Sequence, residues 1–273
     1  MNRSLLDTVA GFMAEVAERE VMPRWRNLGS GDIAEKTGPD DLVTIADKAA
    51  EAALTGKLTR FLPGSTVVGE EAVAADATVL QRLRGSGPVW VVDPIDGTQA
   101  FASGEPDFTL MVALVEDGRA KAGWIFAPAL QLLACGGSGL GVWHGRSAHE
   151  ATAISRPDVP ATVSGMVGLL GKRNITEARR AELQAKQAHF RALDGVTFAG
   201  LDYMRLARGE AHFALYSKCE PWDHLPGLAI VGALGFVHAR HDGTAYEPQS
   251  PQGGLLIAPD EESLDEIRSI LLG

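Results

Sequence analysis

The stretch Trp90-Val91-Val92-Asp93-Pro94-Ile95-Asp96-Gly97-Thr98 decides the reading of this chain. Residues 88–93 form a short apolar run that ends in a carboxylate. That is the pattern of a buried strand delivering a side chain to a sheet edge. Pro94 fixes one backbone torsion and removes a donor. Gly97 permits a tight turn and close approach of a ligand to the backbone. The turn can therefore aim Asp93, Asp96 and the carbonyl of Ile95 at one small volume. Hard oxygen ligands from side chain and backbone are what Mg²⁺ selects. The amides of Gly97 and Thr98 are then free to face a phosphate, the more so if a helix opens there. A lone Asp-x-x-Asp would be an ordinary polar turn. The five identities Asp-Pro-x-Asp-Gly-Thr would arise by chance in roughly one chain of this length in ten thousand.

Two further acidic clusters lie outside this stretch. Gly69-Glu70-Glu71 follows a short strand expected at 66–68, where a carboxylate can reach over a sheet edge. Trp222-Asp223-His224-Leu225-Pro226-Gly227 opens an apolar segment at 223–234 that reads as a buried helix. Alone, Asp223 could equally cap that helix, and His224 could lie beside the site or face solvent.

The remaining pattern predicts amphipathic helices over 4–22, 44–62 and 263–272, a polar helix over 177–193 and a helix over 201–209. It predicts strands over 108–116, 120–127, 163–170 and 212–216. Gly136-Gly-Ser-Gly-Leu-Gly141 has no Lys-Ser/Thr after it and reads as a bend or hairpin. Strands and helices alternate loosely, which gives an α+β or layered α/β architecture. The seam near 145–160 subdivides a single 1–273 unit into halves 1–150 and 151–273.

The 273 residues suffice for a large core, and 45% hydrophobic with 22% charged residues is an ordinary globular composition. A net charge of -10 argues against nucleic acid or an anionic membrane surface as partner. A small phosphorylated ligand stays open, because a bound divalent cation inverts the local field. There is no apolar run of spanning length, and Asp7 and Glu15 interrupt any signal-peptide apolar core at the N-terminus, so a cytoplasmic location is expected. Cys135 and Cys219 show no metal-type spacing and read as reduced, partly buried thiols. His238-Ala-Arg-His241-Asp242 reads as a solvated loop rather than a zinc cluster. A serine nucleophile has no Gly-x-Ser-x-Gly elbow to sit on.

Together these motifs resemble the inositol monophosphatase superfamily of metal-dependent phosphatases, in order and over nearly the whole chain. Lys36 with Asp41-Leu-Val-Thr-Ile-Ala-Asp47 is similar to its N-terminal motif, Gly69-Glu70-Glu71 to its acidic loop, and Trp90–Thr98 to its most specific signature. Pro221-Trp222-Asp223 with Gly227 is similar to its C-terminal motif. The resemblance implies a layered αβαβα sandwich of the inositol monophosphatase and fructose-1,6-bisphosphatase type, usually a homodimer. It implies one Mg²⁺ held by Glu70, Asp93 and the Ile95 carbonyl, and a second by Asp93, Asp96 and Asp223, with a third, looser ion beside Glu70. Thr98, oriented by Asp47, would polarise the attacking water, and the Gly97 and Thr98 amides would hold the phosphate. Lithium inhibition is implied as well. A catalytically silent regulatory member should have lost one of Glu70, Asp93, Asp96, Thr98 or Asp223, and all five are present.

The alcohol-recognising part departs from that pattern. Tyr216 stands where inositol-cleaving members carry an acidic residue, seven positions before the C-terminal aspartate. Thr197-Phe198-Ala199-Gly200 corresponds to the family's small Gly-Ser-Ala-Ala stretch. A tyrosine can hydrogen-bond a hydroxyl or stack on a flat ring. Inositol phosphate, histidinol phosphate, a sugar phosphate and a nucleotide 3′-phosphate are the candidate substrates. Stacking on Tyr216 would favour the nucleotide.

Overall fold

The computed structural model describes residues 2–29, 31–38, 41–171, 176–195 and 198–273. Helix α1 (Arg3–Val16) starts where the Asn2 side chain accepts the Leu5 amide, and it buries Leu6, Val9, Ala10, Met13 and Val16 along one stripe. The expected helix over 4–22 continues past Val16 as a π-helical turn, Ala17–Val21. A hairpin of β1 (Ile33–Gly38) and β2 (Asp41–Thr44) follows, which the sequence reading did not anticipate. It leads straight into α2 (Ile45–Phe61), opened by a capping box between Thr44 and Asp47.

The large sheet has seven strands in the order β3-β4-β5-β6-β7-β8-β9. Their ranges are β3 Thr66–Gly69, β4 Val89–Asp96, β5 Thr109–Glu116, β6 Arg119–Ala127, β7 Leu132–Gly137, β8 Gly141–Gly145 and β9 Thr152–Ile154. Gly136–Gly141 is thus the turn region of the β7–β8 hairpin. Short helices α3 (Glu70–Ala75) and α4 (Thr98–Ala102) leave the ends of β3 and β4. On one face of this sheet Trp90, Val92, Leu110, Val112 and Trp124 pack against Leu6, Val9 and Met13 of α1 and Leu54 and Leu58 of α2.

The second sheet has five strands, β10 (Val167–Leu170), β11 (Ala192–Gly195), β12 (Phe213–Tyr216), β13 (Val237–Arg240) and β14 (Leu255–Ala258), in the order β11-β10-β12-β14-β13. Helices α6 (Ala199–Ala207) and α7 (Pro221–Ala233) fill the space between the sheets. Tyr203, Met204, Ile230 and Val231 meet Met111 and Ile125 on one side and Ala214 and Ile257 on the other. Outside the small sheet, Leu183 of α5 (Glu177–Ala185) and Leu264, Ile267 and Leu271 of α8 (Glu261–Leu272) cover Phe213, Leu215 and Leu256. The layers run αβαβα, as expected. The large sheet is buried on both faces, so β4 and β5 carry unbroken apolar runs instead of an alternating pattern.

Other segments also differ from the reading of the sequence, two of them at the edges of the small sheet. The helix expected over 177–193 stops at Ala185, passes through a 3₁₀ turn and yields residues 192–195 to parallel pairing with β10. Backbone pairing at a sheet edge, with Phe190 against Phe213 at 4.9 Å, overrides local helix preference there. The segment expected as a solvated histidine loop is in part the edge strand β13, paired antiparallel with β14, and His238 lies on it.

Candidate active site

The site forms where β4 meets α7. The pairing of β4 with β5 is irregular between Asp93 and Asp96, which bends the strand end. Gly97 then adopts φ 92°, ψ 34°, and α4 begins at Thr98. A side chain at 97 would be strained in this left-handed conformation, and its Cβ would also lie 2.9 Å from the Asp107 carbonyl oxygen and 3.0 Å from the Phe198 ring. From the other side, Asp223 projects from the first turn of α7, whose start is set by Pro221.

Asp93, Asp96 and Asp223 each offer an oxygen, and these atoms lie within 4.8 Å of one another. Asp93 is 2% exposed, and its Oδ1 is buried with no hydrogen-bond partner among the described residues. Burial pushes the Asp93 carboxyl well above the usual carboxylate range, and the charges of Glu70, Asp96, Asp223 and Asp47 push the same way. Burial likewise raises Asp223, together with Asp96, Glu70 and Glu220, against a lowering hydrogen bond from Asp93. A part-buried cluster of hard oxygens with an unsatisfied carboxylate oxygen fits a divalent cation such as Mg²⁺.

The neighbouring hydroxyl is held from two sides. Thr98 Oγ1 lies 3.2 Å from Asp47 Oδ1 and 3.0 Å from the Ile95 carbonyl oxygen. Asp47 is fully buried, and its Oδ2 accepts the Thr44 amide at 2.8 Å and the Thr44 hydroxyl at 2.5 Å. The capping box of α2 thus sets the carboxylate that faces Thr98. Asp96 is fixed differently: its Oδ2 accepts the Gly200 amide at 2.7 Å and lies 3.4 Å from Thr109 Oγ1.

The other singled-out residues are placed as follows. Tyr216 is 6% exposed, its hydroxyl points to Asp202 Oδ2 at 3.5 Å, and its ring stacks on Tyr203 and meets the edge of His224 at 4.7 Å. The ring is packed within the protein and is not an open stacking platform. His224 is buried as well. Its Nε2 donates to the Lys218 carbonyl at 3.1 Å, which leaves Nδ1 to accept the Tyr203 hydroxyl at 3.0 Å. Burial lowers its pKa to about 4. Cys135 and Cys219 are both buried and unpaired, and burial lifts the Cys135 thiol to about 12. Lys36 and Asp41 fall on β1 and β2, and Thr197 lies outside the described residues. The sequence reading missed Glu51 and the Gly200 amide. The signal for Glu51 was its place one helical turn after Asp47 on the buried side of α2.

The family model described as the inositol monophosphatase family matches residues 3–271. The chain belongs to the inositol monophosphatase family. A histidinol-phosphatase of Mycobacterium tuberculosis is 30% identical over 245 residues, covering 88% of each chain. A fructose-1,6-bisphosphatase/inositol-1-monophosphatase of Thermotoga maritima is 28% identical over 217 residues, covering 79% of this chain and 77% of its own. The solved structure of a Thermotoga maritima IMPase superposes with a TM-score of 0.80 over 98% of this chain and 96% of that one, at 24% identity. As an inositol monophosphatase family member the chain is a phosphoric monoester hydrolase. Among the described residues no helix is long and apolar enough to cross a membrane.

Proposed function

We propose that the chain hydrolyses small phosphate monoesters at the cluster of Asp93, Asp96 and Asp223, with Mg²⁺ as the cation. The observation that carries this reading is the approach of the three carboxylates to within 4.8 Å, with a buried, unsatisfied oxygen on Asp93. Glu70, Asp93 and the Ile95 carbonyl would hold one ion and Asp93, Asp96 and Asp223 a second. A third would sit beside Glu70. Cations bound there supply positive charge to the attacking and leaving oxygens of an in-line displacement and lower the pKa of the attacking water.

The chain's own groups orient the reactants. With the Ile95 carbonyl committed to a cation, the single Thr98 proton would go to Asp47, and the Thr98 oxygen would be left to accept a hydrogen bond from the water. The Gly97 and Thr98 amides, at the start of α4, bind phosphate oxygens. The left-handed turn at Gly97 lets the phosphate come up to the backbone. These contacts place the water in line with the ester bond, which is the positional part of the rate gain.

Inositol-1-phosphate or a related polyol phosphate is the first substrate reading. Histidinol phosphate is the second, favoured by Phe198, whose half-buried ring stands against Gly97 and offers an apolar surface to a flat imidazole. The test is a panel of phosphate monoesters with and without Mg²⁺, with Asp93→Asn beside the wild type. Mg²⁺-dependent phosphate release that the variant loses is the expected result. Equal activity of the variant, or activity untouched by chelation, overturns the reading. The ranking of inositol phosphate against histidinol phosphate decides between the two substrates.

A further inference from the structure

We propose that Glu51 is a positioning residue that clamps the acidic arm, so that Glu70 is held toward the cation cluster. The inference rests on the function proposed above.

Glu51 lies on α2, one turn beyond Asp47, and is 8% exposed. Its Oε2 accepts the Glu71 amide at 2.8 Å and its Oε1 the Ala72 amide at 2.9 Å. These are two of the first amides of α3, which have no partner within their own helix. The helix has no side-chain cap of its own. Both carboxylate oxygens of Glu51 therefore fix the start of α3, and Glu70 is the first residue of that helix.

Gly69 supports the same reading independently. Its backbone, φ -107° and ψ 153°, is open to any residue. A Cβ there would overlap the Glu51 carboxylate, whose carbon and two oxygens are its three nearest neighbours. The glycine is needed for the space that this carboxylate occupies.

A cap alone would not call for this residue. Asn or Ser at position 69 could cap a short helix from within the turn. Glu51 instead buries a carboxylate at the start of the helix that carries Glu70, whose charge acts on the cluster. What the two-oxygen clamp adds is rigidity. The charge of Glu70 acts on both Asp93 and Asp223, so a loosely held arm would swing away from them. Asp47 and Glu51 then perform paired tasks from one face of α2: the first sets Thr98, the second sets Glu70.

The test measures Mg²⁺ binding to the metal-stripped full chain by isothermal titration calorimetry, with metal-free melting temperatures recorded in parallel. The proteins are wild type, Asp93→Asn, Glu51→Gln, Glu51→Ala, Gly69→Ala and the double variant Glu51→Ala/Gly69→Ala. Each single change at 51 or 69 is expected to weaken Mg²⁺ binding about 10–100-fold. The double variant should bind no worse than Glu51→Ala, because the overlap disappears with the carboxylate. Should Glu51→Ala fail to fold, the isosteric Glu51→Gln carries the comparison.

A purely structural Glu51 would lower the melting temperature and leave the binding constant of the folded protein unchanged, and that result overturns the proposal. So do effects of the two single changes that multiply in the double variant. Wild type that binds no Mg²⁺ sinks the site reading and this inference with it. Wild type that binds, Asp93→Asn that does not, and Glu51 variants that bind like wild type sink this inference alone.

Discussion

The Gly200 amide donates to Asp96 Oδ2 at 2.7 Å, across 104 residues of sequence. The start of α6 thereby holds a carboxylate at the end of β4, and a substitution in α6 should reach the site without touching substrate. A Cβ at position 200 would overlap the Thr109 hydroxyl. Gly200→Ala should cost about 1–3 kcal/mol by overpacking. It should also lower kcat/KM by on the order of tenfold as Asp96 loses its fixed orientation. Melting curves and steady-state kinetics on one preparation check both, and a stability loss with unchanged kinetics would separate Gly200 from the chemistry.

Asp93→Asn should inactivate the enzyme and yet stabilise the metal-free protein. Burial and four negative neighbours raise the Asp93 carboxyl in the folded chain. Between the ordinary value of 3.8 and that raised value, the folded state keeps a proton that the unfolded state has released. Stability of the metal-free wild type therefore falls as pH rises through this window. The variant carries no such charge, and at pH 8 it should melt about 2–4 °C higher for each kcal/mol relieved. Added Mg²⁺ should raise the wild-type melting temperature and leave the variant's unchanged. A variant that melts below wild type in chelator contradicts the account.

His224 should contribute the opposite slope. Its pKa is lowered to about 4 by burial, so between 6.5 and 4 the unfolded chain takes up a proton that the folded one refuses. Stability is lost as pH falls through that range, by about 3 kcal/mol for a shift of this size. Urea unfolding at several pH values, for wild type and His224→Asn, isolates the effect as the difference between two curves. Parallel curves would show that the ring titrates normally.

Gly97→Ala tests the turn at the phosphate. The left-handed backbone costs an alanine about 1–2 kcal/mol, and the new Cβ would press on the Asp107 carbonyl and the Phe198 ring. The expected outcome is a folded, destabilised protein whose affinity for inorganic phosphate, read by competitive inhibition, falls at least about tenfold. Unchanged phosphate inhibition would place the phosphate elsewhere.

The stretch Trp90–Thr98 was legible because its strand, turn and helix start are contiguous, so local geometry alone brings Asp93 and Asp96 together. Asp47, Glu70 and Asp223 could be joined to it only by resemblance, since no local rule puts α2, α3 and α7 at one strand end. Glu51 and Gly200 stayed hidden for a related reason: they act through backbone amides across 20 and 104 residues. The packing of Tyr216 was not legible because a phenol suits both a pocket wall and a buried network. Only the packing of α6 and α7 reveals Asp202, Tyr203 and His224 around it. The edge strands β11 and β13 were missed because pairing partners, not residue preference, decide them.

The placement of Asp223 on α7 also bears on how the protein comes into being. During synthesis Glu70, Asp93 and Asp96 emerge first, followed by the Gly200 amide that orients Asp96, and Asp223 comes last among the carboxylates. A chain stalled on the ribosome before α7 therefore carries an acidic strand end without the residue that completes it. On the proposed reading, a chain that ends before α7 lacks one of the three clustered carboxylates and should release no phosphate.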